Sequence, residues 1–295
     1  MNRILYILFF LALFVVSGCL DPLADDPFVD DAEYIAPEPM MYGSLWGFLN
    51  VHSLIGADCL YHNCSTQGMA IHGDYAFVFS NKGWCRVYNL KRKTLVCQTA
   101  LESFSDDNHA NTAAFGPLSA FESDRFPLLY VSECNGKGRC FVERFDGTEF
   151  HLHQTITCWF RATDWFVDGD NKRLFALATK EQSGMSVYAF PLPDPSAPEV
   201  FLTEEDSLGK WEYGFDYQHI VQGGVCGRGN LMIAYGYPFT KRGIHVIDLF
   251  SGELVEMDLS GVLNDEPEDV DFYADKLLMV CNSGNGIYEI MKLLP

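Results

Sequence analysis

Polar residues recur at the heads of similar apolar strands: Gln67, His109 with Asn111, Asp164, His219 with Gln222, and Glu268 with Asp269. Amides, imidazoles and carboxylates are the groups that fix a polar ligand or a cation when several converge on one cavity. His109, Glu268 or Asp269 could also move a proton as general acid or base. Alternation along a strand puts His109 and Asn111 on one face. Each residue alone is explained equally well as a strand cap satisfied by water, so their meaning rests on whether the chain brings them together. Other chemistry is not signalled. There is no G-x-S-x-G elbow, no phosphate-binding glycine loop and no tight Cys/His cluster for zinc, so no cofactor or metal is expected.

The positioning elements are short strands in a repeated phrase. Its first copy runs from Thr66 to Ala100. Thr66 to His72, Tyr75 to Ser80, Trp84 to Leu90 and Thr94 to Ala100 are apolar on alternate positions or in short runs. Gly73-Asp74, Asn81-Lys82-Gly83 and Lys91-Arg92-Lys93 are the turns between them. Looser copies run from His109 to Thr157, from Thr163 to Thr203 with 199–203 as its last strand, and from His219 to Leu259. A final copy from Glu268 has only three strands. The copies begin roughly 40 to 56 residues apart, close to the period of a β-propeller blade. Tyr42 to Val51 reads as a strand that could complete the last copy and close a ring. The expected fold is therefore all-β: a β-propeller over 42–295, with five blades. Six follow if the stretch before Thr66, or the unassigned segment from Glu204 to Tyr217, forms another. A β-sandwich also uses short strands, but the repeated four-strand phrase favours the ring. In a propeller the first strand of each blade lines the central channel, which would place the polar residues around one mouth.

The chain carries 20 basic and 40 acidic side chains, a net charge of −20. Such a surface repels phosphate backbones, so nucleic acid is not an expected partner. Arg3 and the apolar run from Ile4 to Val16 read as a targeting segment, too short for an ordinary membrane span of about 20 residues. Residues 19–41 mix acidic residues with Pro22, Pro27, Pro37 and Pro39, the composition of a solvated tether.

Nine cysteines remain after Cys19. Cys59 and Cys64 close a small loop. Cys85 and Cys97 are symmetric about Lys91, and Cys134 and Cys140 about Lys137, so simple hairpins would place each pair face to face. Free buried thiols are the alternative reading.

Val16-Ser17-Gly18-Cys19 resembles the lipobox of bacterial lipoproteins. That resemblance implies cleavage of residues 1–18, lipid on Cys19, and a membrane anchor at the bacterial cell envelope, on the outer membrane. Thr66-Gln67-Gly68 at the head of the first copy resembles the plant-type glutaminyl cyclotransferases, five-bladed propellers whose second strand carries a catalytic glutamate. It implies Gln67 as a site residue. Val78 or Phe79 stands where the glutamate would be expected, a departure that argues against the activity. The chain also resembles TolB-like propeller lipoproteins, which implies extracytoplasmic binding or assembly. The reading is a binding or scaffold module for a protein, peptide or glycan, with a channel-mouth enzyme as the alternative.

Overall fold

A computed structural model describes residues 40–42, 45–50, 65–106, 108–180, 183–218, 220–282 and 286–290, with side chains from residue 65 onward. They fall in the unit Ala32–Pro295. The strands form five sheets, the five blades of a propeller, antiparallel throughout except for one parallel edge strand on blade 2. Blade 1 is Thr66–His72, Tyr75–Ser80, Trp84–Asn89 and Thr94–Ala100. Blade 2 is Ala110–Phe115, Leu129–Glu133, Cys140–Phe145 and Phe150–Cys158. Blade 3 is Asp164–Asp168, Arg173–Lys180, Gly184–Pro191 and Gly209–Gly214. Blade 4 is Val221–Gly227, Asn230–Tyr235, Gly243–Asp248 and Leu254–Asp258. Blade 5 is Pro267–Tyr273, Lys276–Cys281, Gly286–Ile290 and, from the other end of the chain, Leu45–Asn50.

Strand position dictates strand composition. A second strand is covered by both neighbouring blades, so Tyr75–Ser80 is buried at every residue. An outer strand meets solvent, so Thr94–Ala100 is nowhere fully buried. The core is a set of apolar seams between blades. Phe77 packs edge-on to Phe115, Phe126 and Phe145 between blades 1 and 2. Met69, Val78 and Tyr88 pack with Leu278, Val280 and Ile287 between blades 1 and 5. That last seam joins the two ends of the chain.

The ring closes as the sequence predicts. Leu45–Asn50 pairs antiparallel with Gly286–Ile290, and Met40–Tyr42 pairs outside it. One strand lies elsewhere than expected. Glu199–Leu202 is not the last strand of blade 3. It runs parallel to Thr155–Cys158 and adds a fifth strand to blade 2. The position in blade 3 is taken by Gly209–Gly214, from the segment the sequence left unassigned. Its Trp211 stacks on Phe175, 5.9 Å between ring centroids, which gives this strand an apolar anchor.

The two described disulfide pairings are not present: all seven described cysteines are free. The turn pairs Asn89 with Thr94, one residue out of symmetry about Lys91, and a bulge between Val87 and Tyr88 adds a second step, so Cys97 lies opposite Val87 and Cys85 opposite Thr99. Cys140 faces Ser132, while Cys134 lies beyond the end of its strand. Burial pushes the Cys97 thiol up to about 11 and the Cys85 thiol up as well, which disfavours the reactive thiolate. Cys19, Cys59 and Cys64, the targeting segment and the tether lie outside the described residues.

Candidate functional site at the channel mouth

The inner strands of blades 1, 2, 4 and 5 share one irregularity. Each carries a bulge near its start, between Thr66 and Met69, Ala110 and Ala113, Val221 and Gly224, and Pro267 and Asp269. The pairing registers make Gln67, Asn111, Gln222 and Glu268 equivalent residues within these bulges. A bulge re-aims a side chain out of the ladder. Here it gathers one polar residue from each of four blades at the same level of the ring. The next residue is Gly68, Thr112, Gly223 or Asp269. The glycines permit close approach: a Cβ on Gly68 would lie 2.9 Å from the Ala110 carbonyl, and one on Gly223 would lie 2.5 Å from the Asp269 carboxylate.

These strand starts surround a cleft of about 350 Å³, lined among others by Gln67, His109, Asn111, Gln222, Tyr237, Glu266 and Asn282. Gln222 donates to Glu266 at 3.0 Å and to the Gly236 carbonyl at 3.2 Å. Asn282 donates to the other Glu266 oxygen at 3.2 Å. Asn111 and Thr112 both donate to one oxygen of Asp164, each at 2.8 Å, which joins blade 2 to blade 3. His109 sits half-buried at the rim, and burial lowers its pKa, which favours the neutral imidazole.

Four buried oxygens here lack a hydrogen-bond partner among the described residues: Gln67 Oε1, Asp164 Oδ2 and both oxygens of Glu268. Glu268 lies behind the lining, only 1 % exposed. Burial raises its pKa well above the usual carboxylate range, and the Glu266 charge adds to the rise. The amides of Asn282 and Gln67 lie close enough to oppose this electrostatically, but neither reaches its oxygens with hydrogen-bonding geometry. Burial likewise raises Asp164 to about 6; the nearby Thr163 hydroxyl donates instead to the Leu177 carbonyl. An unpaired buried acceptor costs about 1–3 kcal/mol. The mouth therefore favours an incoming group rich in N–H or O–H donors.

The residues named from the sequence divide cleanly. Gln67, His109 and Asn111 line the cleft; Asp164 is outside the lining but accepts from Asn111, and Glu268 is buried two residues after the lining Glu266. His219 lies outside the described residues, although the adjoining Ile220, Val221 and Gln222 line the cleft. Asp269 is a structural group. It accepts from the backbone N–H of Met69 at 2.8 Å, Ala113 at 3.2 Å and Val270 at 2.8 Å, tying blade 5 to blades 1 and 2. Sequence reasoning missed Glu266, Asn282, Tyr237 and Cys134. Glu266 immediately precedes an inner strand, and the other three follow the second strands paired with them, so the hairpin partner of each inner strand was the usable signal. At Val78 and Phe79 the side chains are buried and apolar, so neither supplies a carboxylate.

No protein-family model and no curated protein sequence matches the chain. Among solved structures, the glutaminyl cyclase of Myxococcus xanthus is similar, with TM-score 0.50 and 15% identity over 77% of this chain and 90% of that one. The tail fiber of Staphylococcus aureus phage P68 is matched at TM-score 0.47 and 13% identity over 77% of this chain. This chain spans about half of that one, 49%. At 15% identity the likeness to the cyclase is one of fold.

Proposed function

We propose that this propeller is a binding module whose channel mouth takes the donor-rich polar end of a peptide. The observation that carries this reading is the set of unpaired buried acceptors on Gln67, Asp164 and Glu268 around a cleft of about 350 Å³. A terminal ammonium supplies three N–H donors and a positive charge, which suits carboxyl groups held under a layer of amides. A glycan hydroxyl supplies donors without the charge, and the titration below separates the two. The lipobox-like sequence supports a further part of this reading, that the module is held at a bacterial envelope through lipid on Cys19.

The test is calorimetric titration with alanyl-phenylalanyl-alanine amide, in wild type and in Gln67→Ala. Binding weakened about tenfold or more by the substitution supports the site. Absence of binding, together with binding of a neutral oligosaccharide, overturns the peptide reading.

One observation favours a second reading. Glu268 is a carboxyl with a raised pKa beside a solvent-reached cleft, the arrangement of a general acid or base. A covalent change in the peptide after incubation, abolished by Glu268→Gln, would establish a propeller enzyme in place of a binder.

A further inference from the structure

The loop that follows the second strand of blade 4 reaches the cleft through Tyr237 and continues as Pro238, Phe239 and Thr240. It is a tight turn, with the Thr240 N–H donating to the Tyr237 carbonyl at 3.0 Å. Pro238 holds the second position, where its ring fixes φ near −65°. Phe239 holds the third, with φ +68°. That combination defines a type II turn, whose third position belongs to glycine or asparagine. A phenylalanine in the left-handed region is strained. Its ring offers no compensation within the fold, because it is fully exposed, at 101%.

The turn is rigidly held. The Thr240 hydroxyl accepts from the Tyr237 N–H at 2.9 Å. Arg242 is buried and donates to the carbonyls of Thr240 at 2.8 Å and Leu263 at 2.6 Å. Gly236, just before the turn, is fixed to the cleft by Gln222. A side chain there would strike Arg242, whose Cβ would lie 2.4 Å away. The fold thus keeps a costly conformation, on a braced support, to hold an exposed aromatic ring two residues from the cleft-lining Tyr237.

We infer that Phe239, with Tyr237 beside it, is a specificity-determining contact, taking an apolar side chain of the peptide whose polar end enters the cleft. This rests on the peptide-binding reading above. Tyr237 itself is half exposed, at 50%, and lines the cleft, and Phe239 follows two residues later at the turn tip. A ligand with a polar end and an apolar next residue would cover surface that otherwise faces water.

The experiment compares alanyl-phenylalanyl-alanine amide with alanyl-glycyl-alanine amide, against wild type, Phe239→Gly and Phe239→Leu. Wild type should prefer the phenylalanyl peptide by roughly tenfold. Phe239→Gly should erase that preference while leaving affinity for the glycyl peptide unchanged. Its melting temperature should be unchanged or about 2 °C higher, because glycine relieves the turn. Phe239→Leu should keep part of the preference. Equal binding of both peptides by wild type, or a preference that survives Phe239→Gly, overturns the inference and leaves the cleft reading standing. Failure of both peptides to bind wild type overturns both.

Discussion

Glu268 and Asp269 are adjacent acids with opposite roles, and their hydrogen bonds decide which is which. Asp269 accepts three backbone N–H groups and holds blade 5 to blades 1 and 2. Glu268 accepts none. Asp269→Ala strands buried donors on Met69 and Ala113 and should cost roughly 3–5 kcal/mol by urea unfolding. Glu268→Gln should behave differently. A carboxyl whose pKa is raised on folding contributes stability that is present below its unfolded value of about 4.3 and lost as pH rises through the folded value. Glu268→Gln should therefore exceed wild type in stability at pH 8, and the gap should close as pH falls towards about 4.5. A constant gap across that range would show that Glu268 does not titrate differently in the folded state. Asp164, raised to about 6, and Asp271, raised to about 7, add the same slope between roughly pH 4 and 7. Asp124 and Glu133, held low by Arg144 and Arg139, act in the opposite sense and lose their contribution as pH falls below about 4.

The strand phrase was legible because buried strands leave a local signature. Tyr75–Ser80 and Thr94–Ala100 have the bounds that their apolar runs and flanking turns dictate. The polar residues at the inner-strand heads were legible for the same reason, since Gln67 and Asn111 break otherwise apolar runs. What could not be read was which sheet edge a strand joins. Glu199–Leu202 has ordinary strand composition, but nothing within it tells that its partner is Thr155–Cys158 of the preceding blade. The bulges were equally hidden. Symmetry about Lys91 gives Cys85 and Cys97 a shared register only if the turn is centred there and the hairpin is regular; the turn pairs Asn89 with Thr94 and the bulge at Val87 and Tyr88 shifts the register once more. The assignment of outer strands has a direct check. Trp211→Ala removes the ring stacked on Phe175 and should cost about 3 kcal/mol, whereas Phe201→Ala, at a side chain 60% exposed, should cost under about 1 kcal/mol. Reversed costs would mean that Glu199–Leu202, not Gly209–Gly214, seals blade 3.

The whole molecule depends on a ring whose two ends are shut by strands from opposite ends of the chain. Leu45–Asn50 satisfies the edge of Gly286–Ile290 that would otherwise lie open. Removing residues 1–50 should lower the melting temperature by roughly 10 °C or more and expose that edge to aggregation. An unchanged melting profile would show that closure does not need this strand. The ring also makes the cleft, because its lining comes from blades 1, 2, 4 and 5 and converges only when the circle is complete.

The most direct test of the central claim, that buried acceptors at the channel mouth await a ligand's donors, is proton release on binding. Calorimetric titration of alanyl-phenylalanyl-alanine amide at pH 6, in buffers of different ionisation enthalpy, reads it. An ammonium that displaces the Glu268 proton should release up to one proton per site, and Glu268→Gln should abolish the release. Binding with no proton release, or release undiminished in Glu268→Gln, would contradict it.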